Sequence, residues 1–111
     1  MKIFADIGIG PSDNLETMAR ILGEVLHVDF EADADGRYDE FPAYIADSDG
    51  TRYALLGTPN PEDDLRDEPT NEFQLMIRPI MDDHRSPKKD ISDEIVSRIS
   101  GDGRVDSWAL K

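Results

Sequence analysis

The sequence predicts an α+β domain, with a single mixed sheet of five to six strands and two helices packed on it. Three observations predict it. The chain opens as strand, helix, strand. An Asp-Gly turn joins two apolar runs at its centre. A second helical pattern, with isoleucine at every fourth position, follows the last long strand. The 111 residues fit one domain, so residues 1–111 are read as a single acidic α+β unit. A chain of this length buries roughly two-thirds of the surface it would expose unfolded, enough for one core without staples.

Each element has its own signal. Lys2 to Ile7 is apolar apart from Asp6 and reads as a buried strand, stopped by Gly8, Gly10 and Pro11. Asp13 then reads as a helix N-cap with Glu16 as its capping-box partner. The helix runs to about Leu26, and Leu15, Met18, Leu22 and Val25 recur at helical spacing as its core face. From His27 to Ala32 the chain alternates, with Val28, Phe30 and Ala32 on one side and Asp29 and Glu31 on the other. That is a half-buried strand, and the strand-helix-strand opening suggests a right-handed crossover between parallel strands.

Ala43 to Asp47 and Thr51 to Leu56 form a hairpin around Ser48-Asp49-Gly50. Thr58 to Glu72 is a linker with Pro59, Pro61 and Pro69, long enough to be functional or mobile. Phe73 to Ile80 is a strand with Phe73, Leu75 and Ile77 inward, and Pro79 marks its end or an edge. Asp82 to Lys89 reads as a polar loop. A second helix starts near Asp90 or Ser92, carries Ile91, Ile95 and Ile99 on one face, and is ended by Gly101. Arg104 to Leu110 completes the order as a short strand containing Trp108.

Composition narrows the function. There is no cysteine, so disulfides and thiolate metal sites are excluded. No apolar run approaches the ~20 residues of a bilayer span. The opening Met-Lys-Ile-Phe-Ala-Asp reads as a strand rather than a secretion signal, and a cytoplasmic location is expected. The net charge is −13, and its distribution is uneven. Residues 1–72 hold 18 acids and 5 bases, whereas residues 73–111 hold 7 of each. Adaptation to salt would spread acids over the whole surface. An anionic surface repels nucleic acid and acidic lipid and attracts basic proteins.

Catalytic and metal motifs are incomplete. Gly8-Ile9-Gly10 sits where a phosphate loop would, but Asp13 occupies the third glycine position and no Lys-Ser/Thr pair follows. A tight turn with a cap explains it. Glu31, Asp33, Asp35, Gly36 and Asp39 follow a calcium-loop spacing, but Pro42 stands where the bidentate Glu should be. Asp82, Asp83 and His84 would serve a small enzyme only if they converged in a pocket. No nucleophile signature is present, and no cofactor is expected.

Two acidic stretches remain. Asp29 to Asp49 holds eight acids and one base, and Glu62 to Glu72 holds six acids and one base. Charge runs are most often solvated faces. Two of them on loops beside one hairpin, however, would form a composite surface, because binding residues concentrate on loops held by a rigid sheet. The expected partner-binding residues are Asp33, Asp35, Asp39, Glu40, Glu62, Asp63, Asp64, Asp67 and Glu68.

The opening Asp6-Ile7-Gly8-Ile9-Gly10, followed by Asp13-Asn14-Leu15-Glu16-Thr17-Met18, resembles the immunity proteins of bacterial contact-dependent growth inhibition and related polymorphic toxin systems. The resemblance covers about the first fifth of the chain, and no binding residue carries over. It implies a cytoplasmic, non-enzymatic inhibitor that neutralises a cognate toxin domain, often a nuclease. Nucleases have basic clefts, and a carboxylate-rich loop can stand in for phosphates there. The alternatives are a nucleic-acid mimic that blocks a DNA- or RNA-binding protein, and the small enzyme using Asp82, Asp83 and His84. A mimic would spread its acids at phosphate-like spacing over much of its surface. Here they gather in two stretches.

Overall fold

The computed structural model describes residues 2–34, 36, 38, 41–58, 71–81 and 87–110. Its elements run β1 (Lys2–Gly10), α1 (Leu15–Leu26), β2 (Glu31–Ala32), β3 (Ala43–Ser48), β4 (Thr51–Leu56), β5 (Phe73–Pro79), β6 (Lys88–Asp90), α2 (Ser92–Asp102) and β7 (Asp106–Ala109). The α+β class and the single mixed sheet with two helices stand as the sequence predicts. The described residues form seven strands rather than five to six, in the order β2-β3-β4-β5-β1-β6, with β7 also on β1.

The sheet is antiparallel except for the β1–β6 pair. β1 is its longest strand and has two full edges. One pairs with β5 from Ala5↔Ile77 to Ile9↔Phe73. The other is shared end to end by β6, parallel along Lys2 to Phe4, and β7, antiparallel along Ile7 to Gly10. The Asp6 amide falls in the gap between those two strands. The Ser92 hydroxyl accepts it at 3.1 Å and in turn donates to Asp90 Oδ1 at 2.5 Å. The same carboxylate oxygen accepts the Ser92 amide at 2.9 Å, so Asp90 also caps the start of α2. Ser92 is 5% exposed, the one buried polar residue among those described.

The core lies between one face of the sheet and both helices. Ala5, Ile7 and Ile9 of β1, Leu55 of β4, and Leu75 and Ile77 of β5 meet Met18, Leu22 and Leu26 of α1 and Ile95 and Ile99 of α2. Full burial of each large aliphatic side chain contributes roughly 1.5–3 kcal/mol. On the opposite face Ala43, Ile45, Ala54 and Leu56 are buried, and a cross-strand pair closes that face, Arg52 gripping Asp47 at 2.8 and 3.0 Å. Asp6 lies on this face and pairs with Arg78 at 2.7 Å. Arg78 also donates to the carbonyls of Ala5 and Ile77 and sits over the Phe4 ring. Gly8 lies opposite Trp108, and a Cβ at Gly8 would overlap the indole.

Several local expectations are corrected. The α1 N-cap is Asn14, whose side chain accepts the Thr17 amide at 2.9 Å, and Asp13 only accepts the Asn14 amide. Three residues beyond Asn14 stands Thr17, so Glu16 makes no capping box. Met18 and Leu22 are buried as expected, joined by Ala19, Ile21 and Leu26, while Leu15 and Val25 are half-buried flanks. His27 is no strand residue but the helix C-cap, with a left-handed φ of 58°. The strand expected over His27 to Ala32 therefore shrinks to β2.

β2 runs in the same direction as β1, as a crossover requires, but β5, β4 and β3 lie between them, and its partner is β3, antiparallel. β6 lies where the sequence predicts a loop, because Lys88-Lys89-Asp90 has no apolar alternation and its pairing with β1 is a backbone matter. α2 ends at Gly103 (φ 86°), whose amide reaches the Ile99 carbonyl, and Gly101 lies within the helix. The hairpin turn is as expected, with Asp49 and Gly50 both at positive φ, as a two-residue type I′ turn demands. The expected mobility of Thr58 to Glu72 concerns residues of which 59–70 lie outside those described.

Ser92→Ala removes the acceptor of the Asp6 amide and the donor to Asp90 together. It should lower the unfolding free energy by about 1–3 kcal/mol in denaturant titration, the cost of an unmade buried hydrogen bond. A loss under about 0.5 kcal/mol would show that water replaces the hydroxyl.

Candidate functional site

Of the residues expected to bind a partner, Asp33 is described. Asp35, Asp39, Glu40, Glu62, Asp63, Asp64, Asp67 and Glu68 lie outside the described residues, as do Asp82, Asp83 and His84. The surface that carries Asp33 can nonetheless be built upward from the sheet.

After the His27 cap the chain reverses along the end of α1, and the Val28 amide bonds the Gly23 carbonyl at 3.0 Å. A Cβ at position 23 would lie 2.7 Å from the Val28 carbonyl oxygen, so only glycine permits this close return. The chain then extends into β2, where Glu31 pairs with Ile45 and Ala32 with Tyr44, and the Asp33 amide bonds the Ala43 carbonyl. Period-2 alternation sends Phe30 toward the helix side and Glu31 to the other face. Asp47 lies on that same face, two residues beyond Ile45. A groove of about 460 Å³ results, lined by Asp29, Glu31, Ala32, Asp33, Ala34, Ile45 and Asp47.

Among the described residues, four carboxylates and no basic side chain line this groove. Asp47 is held by Arg52, whose guanidinium is pushed above its ordinary pKa first by the hydrogen bonds it donates to Asp47. Asp29 and Glu31 have no ion-pair partner among the described residues. No group of three His, Cys, Asp or Glu among the described residues is arranged to hold a metal ion. The arrangement is suited to receiving a cation presented by another molecule. β2 is a sheet edge, and both of its residues are exposed.

The helix side is wired differently. Arg104 bridges Asp102 at 2.7 Å and Glu24 at 2.9 Å, and Arg20 also reaches Glu24 at 3.2 Å. Hydrogen bonding to Arg104 holds the Glu24 and Asp102 carboxyls below their ordinary range. Arg98 caps α1 by donating to the Val25 carbonyl. The bases of the last third of the chain thus neutralise acids near the helix ends and leave the β2 edge anionic.

Asp29, Glu31 and Asp47 were not among the site residues expected from sequence, although they lie in the acidic stretch. The available signal was register. Counting back from the Asp49-Gly50 turn places Asp47 opposite Arg52, and the alternation from Asp29 puts Glu31 on one side of the edge. No protein-family model matches the chain, and no curated protein matches its sequence.

The Arg104 cluster sets a pH dependence. Glu24 and Asp102 have depressed pKa values in the folded state, so the stability they contribute is present above the ordinary carboxylate range and is lost as pH falls through and below it. Arg104→Gln should therefore be less stable than the parent at neutral pH, and the difference should shrink toward zero between about pH 5 and pH 2 in thermal melts. A difference that does not change with pH would contradict this.

Proposed function

We propose that this protein is a cytoplasmic immunity protein that binds a basic toxin domain, most simply a nuclease, and blocks it stoichiometrically through its acidic edge. The observation that carries the reading is the placement of Asp29, Glu31, Asp33 and Asp47 around one groove at an exposed sheet edge. The excess negative charge of the chain, confined to residues 1–72, supports it, and so does the resemblance of the opening segment to immunity proteins.

The physical logic is electrostatic. A nuclease cleft is basic because it grips phosphates, and a carboxylate-lined edge can occupy it. Opposite fields steer the encounter, raising association rates toward ~10⁹ M⁻¹s⁻¹ at low salt. Speed matters to an inhibitor that must reach a toxin before its substrate does. The chemistry required of the protein is recognition, and neither groups converging in a reactive pocket nor a bound cofactor enters it.

The test asks first whether a large secreted protein with a variable C-terminal domain is encoded beside this gene, and pairs the protein with that domain. The expected result is a one-to-one complex by calorimetry and loss of toxicity on co-expression. Changing Asp29→Asn, Glu31→Gln and Asp33→Asn together should slow association about tenfold at low salt and flatten its salt dependence, with the fold intact. A second variant, neutralising Glu62, Asp63, Asp64, Asp67 and Glu68, reads the share of the other acidic stretch. An unchanged association rate in both variants would refute the acidic-edge mechanism.

A further inference from the structure

Among the described residues three strands lie at the rim of the sheet, and they are protected unequally. β2 is two residues long and fully exposed, with Glu31 in it and Asp33 directly after. β6 is Lys88-Lys89-Asp90, charged and exposed throughout. Short length and charged side chains keep an edge from pairing with another chain. β7 has only the charge of Asp106 at its start. Ser107, Trp108 and Ala109 follow, and then Leu110, an apolar side chain left 38% exposed.

The outer rim of β7 is bare backbone. The Leu110 amide donates to the Asp6 carbonyl at 2.8 Å, and the ladder continues through Gly8↔Trp108 and Gly10↔Asp106. In an antiparallel ladder every second residue turns its backbone groups to the partner strand. Asp106, Trp108 and Leu110 therefore face β1, and the amides and carbonyls of Ser107 and Ala109 face outward. Those outward groups have no hydrogen-bond partner among the described residues. The one large side chain of the strand does not overhang the rim. The Trp108 indole lies inward over β1, in the space where a Cβ at Gly8 would be.

Electrostatics selects what can pair there. β7 belongs to the part of the chain with balanced charge, seven acids and seven bases over residues 73–111. The acidic β2 edge is at the other end of the sheet. Two copies that meet at β7 thus keep their acidic edges far apart. Antiparallel pairing about a twofold axis at Trp108 sets Ser107 of each copy against Ala109 of the other, and each such pair exchanges both of its backbone hydrogen bonds. Asp106 falls opposite Leu110 of the second copy. The two Asp106 carboxylates then stand roughly 14 Å apart along the strands, beyond the ~8 Å screening length at physiological salt.

We infer that β7 is a self-association edge, at which two copies of this chain pair β7 to β7, antiparallel, in the register Ser107 to Ala109. The pairing makes no use of the acidic groove, so it stands or falls separately from the proposed function. It leaves one acidic β2 edge free at each end of the joined sheet. The contact is small, so the dimer should dissociate on dilution, with a dissociation constant on the order of 10–100 µM.

Sedimentation velocity of the full chain, from about 1 µM to about 1 mM in near-physiological salt, should show monomer passing to dimer. Leu110→Asp sets an acid opposite Asp106 of the second copy, and symmetry applies the change twice. It should weaken the dimer about fivefold, and Leu110→Lys should tighten it by a similar factor. Asp106→Lys combined with Leu110→Asp should restore the parent affinity. Thermal melts check that each variant is folded. In the parent protein, amide exchange at Ser107 and Ala109 should slow as concentration rises, while Trp108 and Leu110, already bonded to β1, should not change.

A monomer at every concentration would overturn the inference. So would a dimer in which the Ser107 and Ala109 amides exchange as fast as in the monomer. Weakening by Leu110→Asp and Leu110→Lys alike, with no rescue by Asp106→Lys, would overturn the register.

Discussion

Every layer of this fold leans on the satisfaction of β1 along both of its edges. A central strand cannot leave backbone amides unpaired without a cost of about 1–3 kcal/mol each. β5 completes one edge. The other is assembled from two short strands that meet at Asp6, and the Ser92 hydroxyl fills the place between them. Because Ser92 is also the first residue of α2 and is held by Asp90 at the end of β6, one contact ties together the strand, the helix start and the junction of the two short strands. From there α2 runs across the core and returns through Gly103 into β7.

The same arrangement decides where the far edge of the sheet lies. With β6, α2 and β7 all gathered on the β1 side, β2 and β3 form the far edge, with α1 alongside β3. Hydrophobic burial holds the near half. The far half is held by the hairpin, by the buried residues Ala43, Ile45 and Ala54, and by the Asp47–Arg52 pair. Acids on an exposed edge strand also guard against association with a second copy, since like charges would be brought together. That guard does not act against a basic partner. One feature can thus disfavour self-association through β2 while leaving the edge open to the proposed basic partner.

Much of the fold was legible in the sequence because local chemistry and tertiary need agreed. The Asp49-Gly50 turn, the alternation of Phe73, Leu75 and Ile77, and the helical spacing of Met18 with Leu22 and of Ile95 with Ile99 each have one stable solution. The misreadings share a physical cause, in that backbone geometry was set by partners distant in sequence. β6 is a strand because β1 lies beside it, although Lys88-Lys89-Asp90 shows no pattern. His27 leaves the strand because the α1 carbonyls need a left-handed cap. The acidic character of the site was legible, but its arrangement was not. Which carboxylates share a groove depends on register across β2, β3 and the hairpin.

Hydrogen exchange on a complex with the proposed toxin domain tests the central claim most directly, because it maps the covered surface without relying on substitutions. Binding through the β2 edge predicts slowed exchange over residues 28–34 and 44–47, with α2 and β7 unchanged. Protection over α2 and β7, with residues 28–34 exchanging as in the free protein, would contradict it.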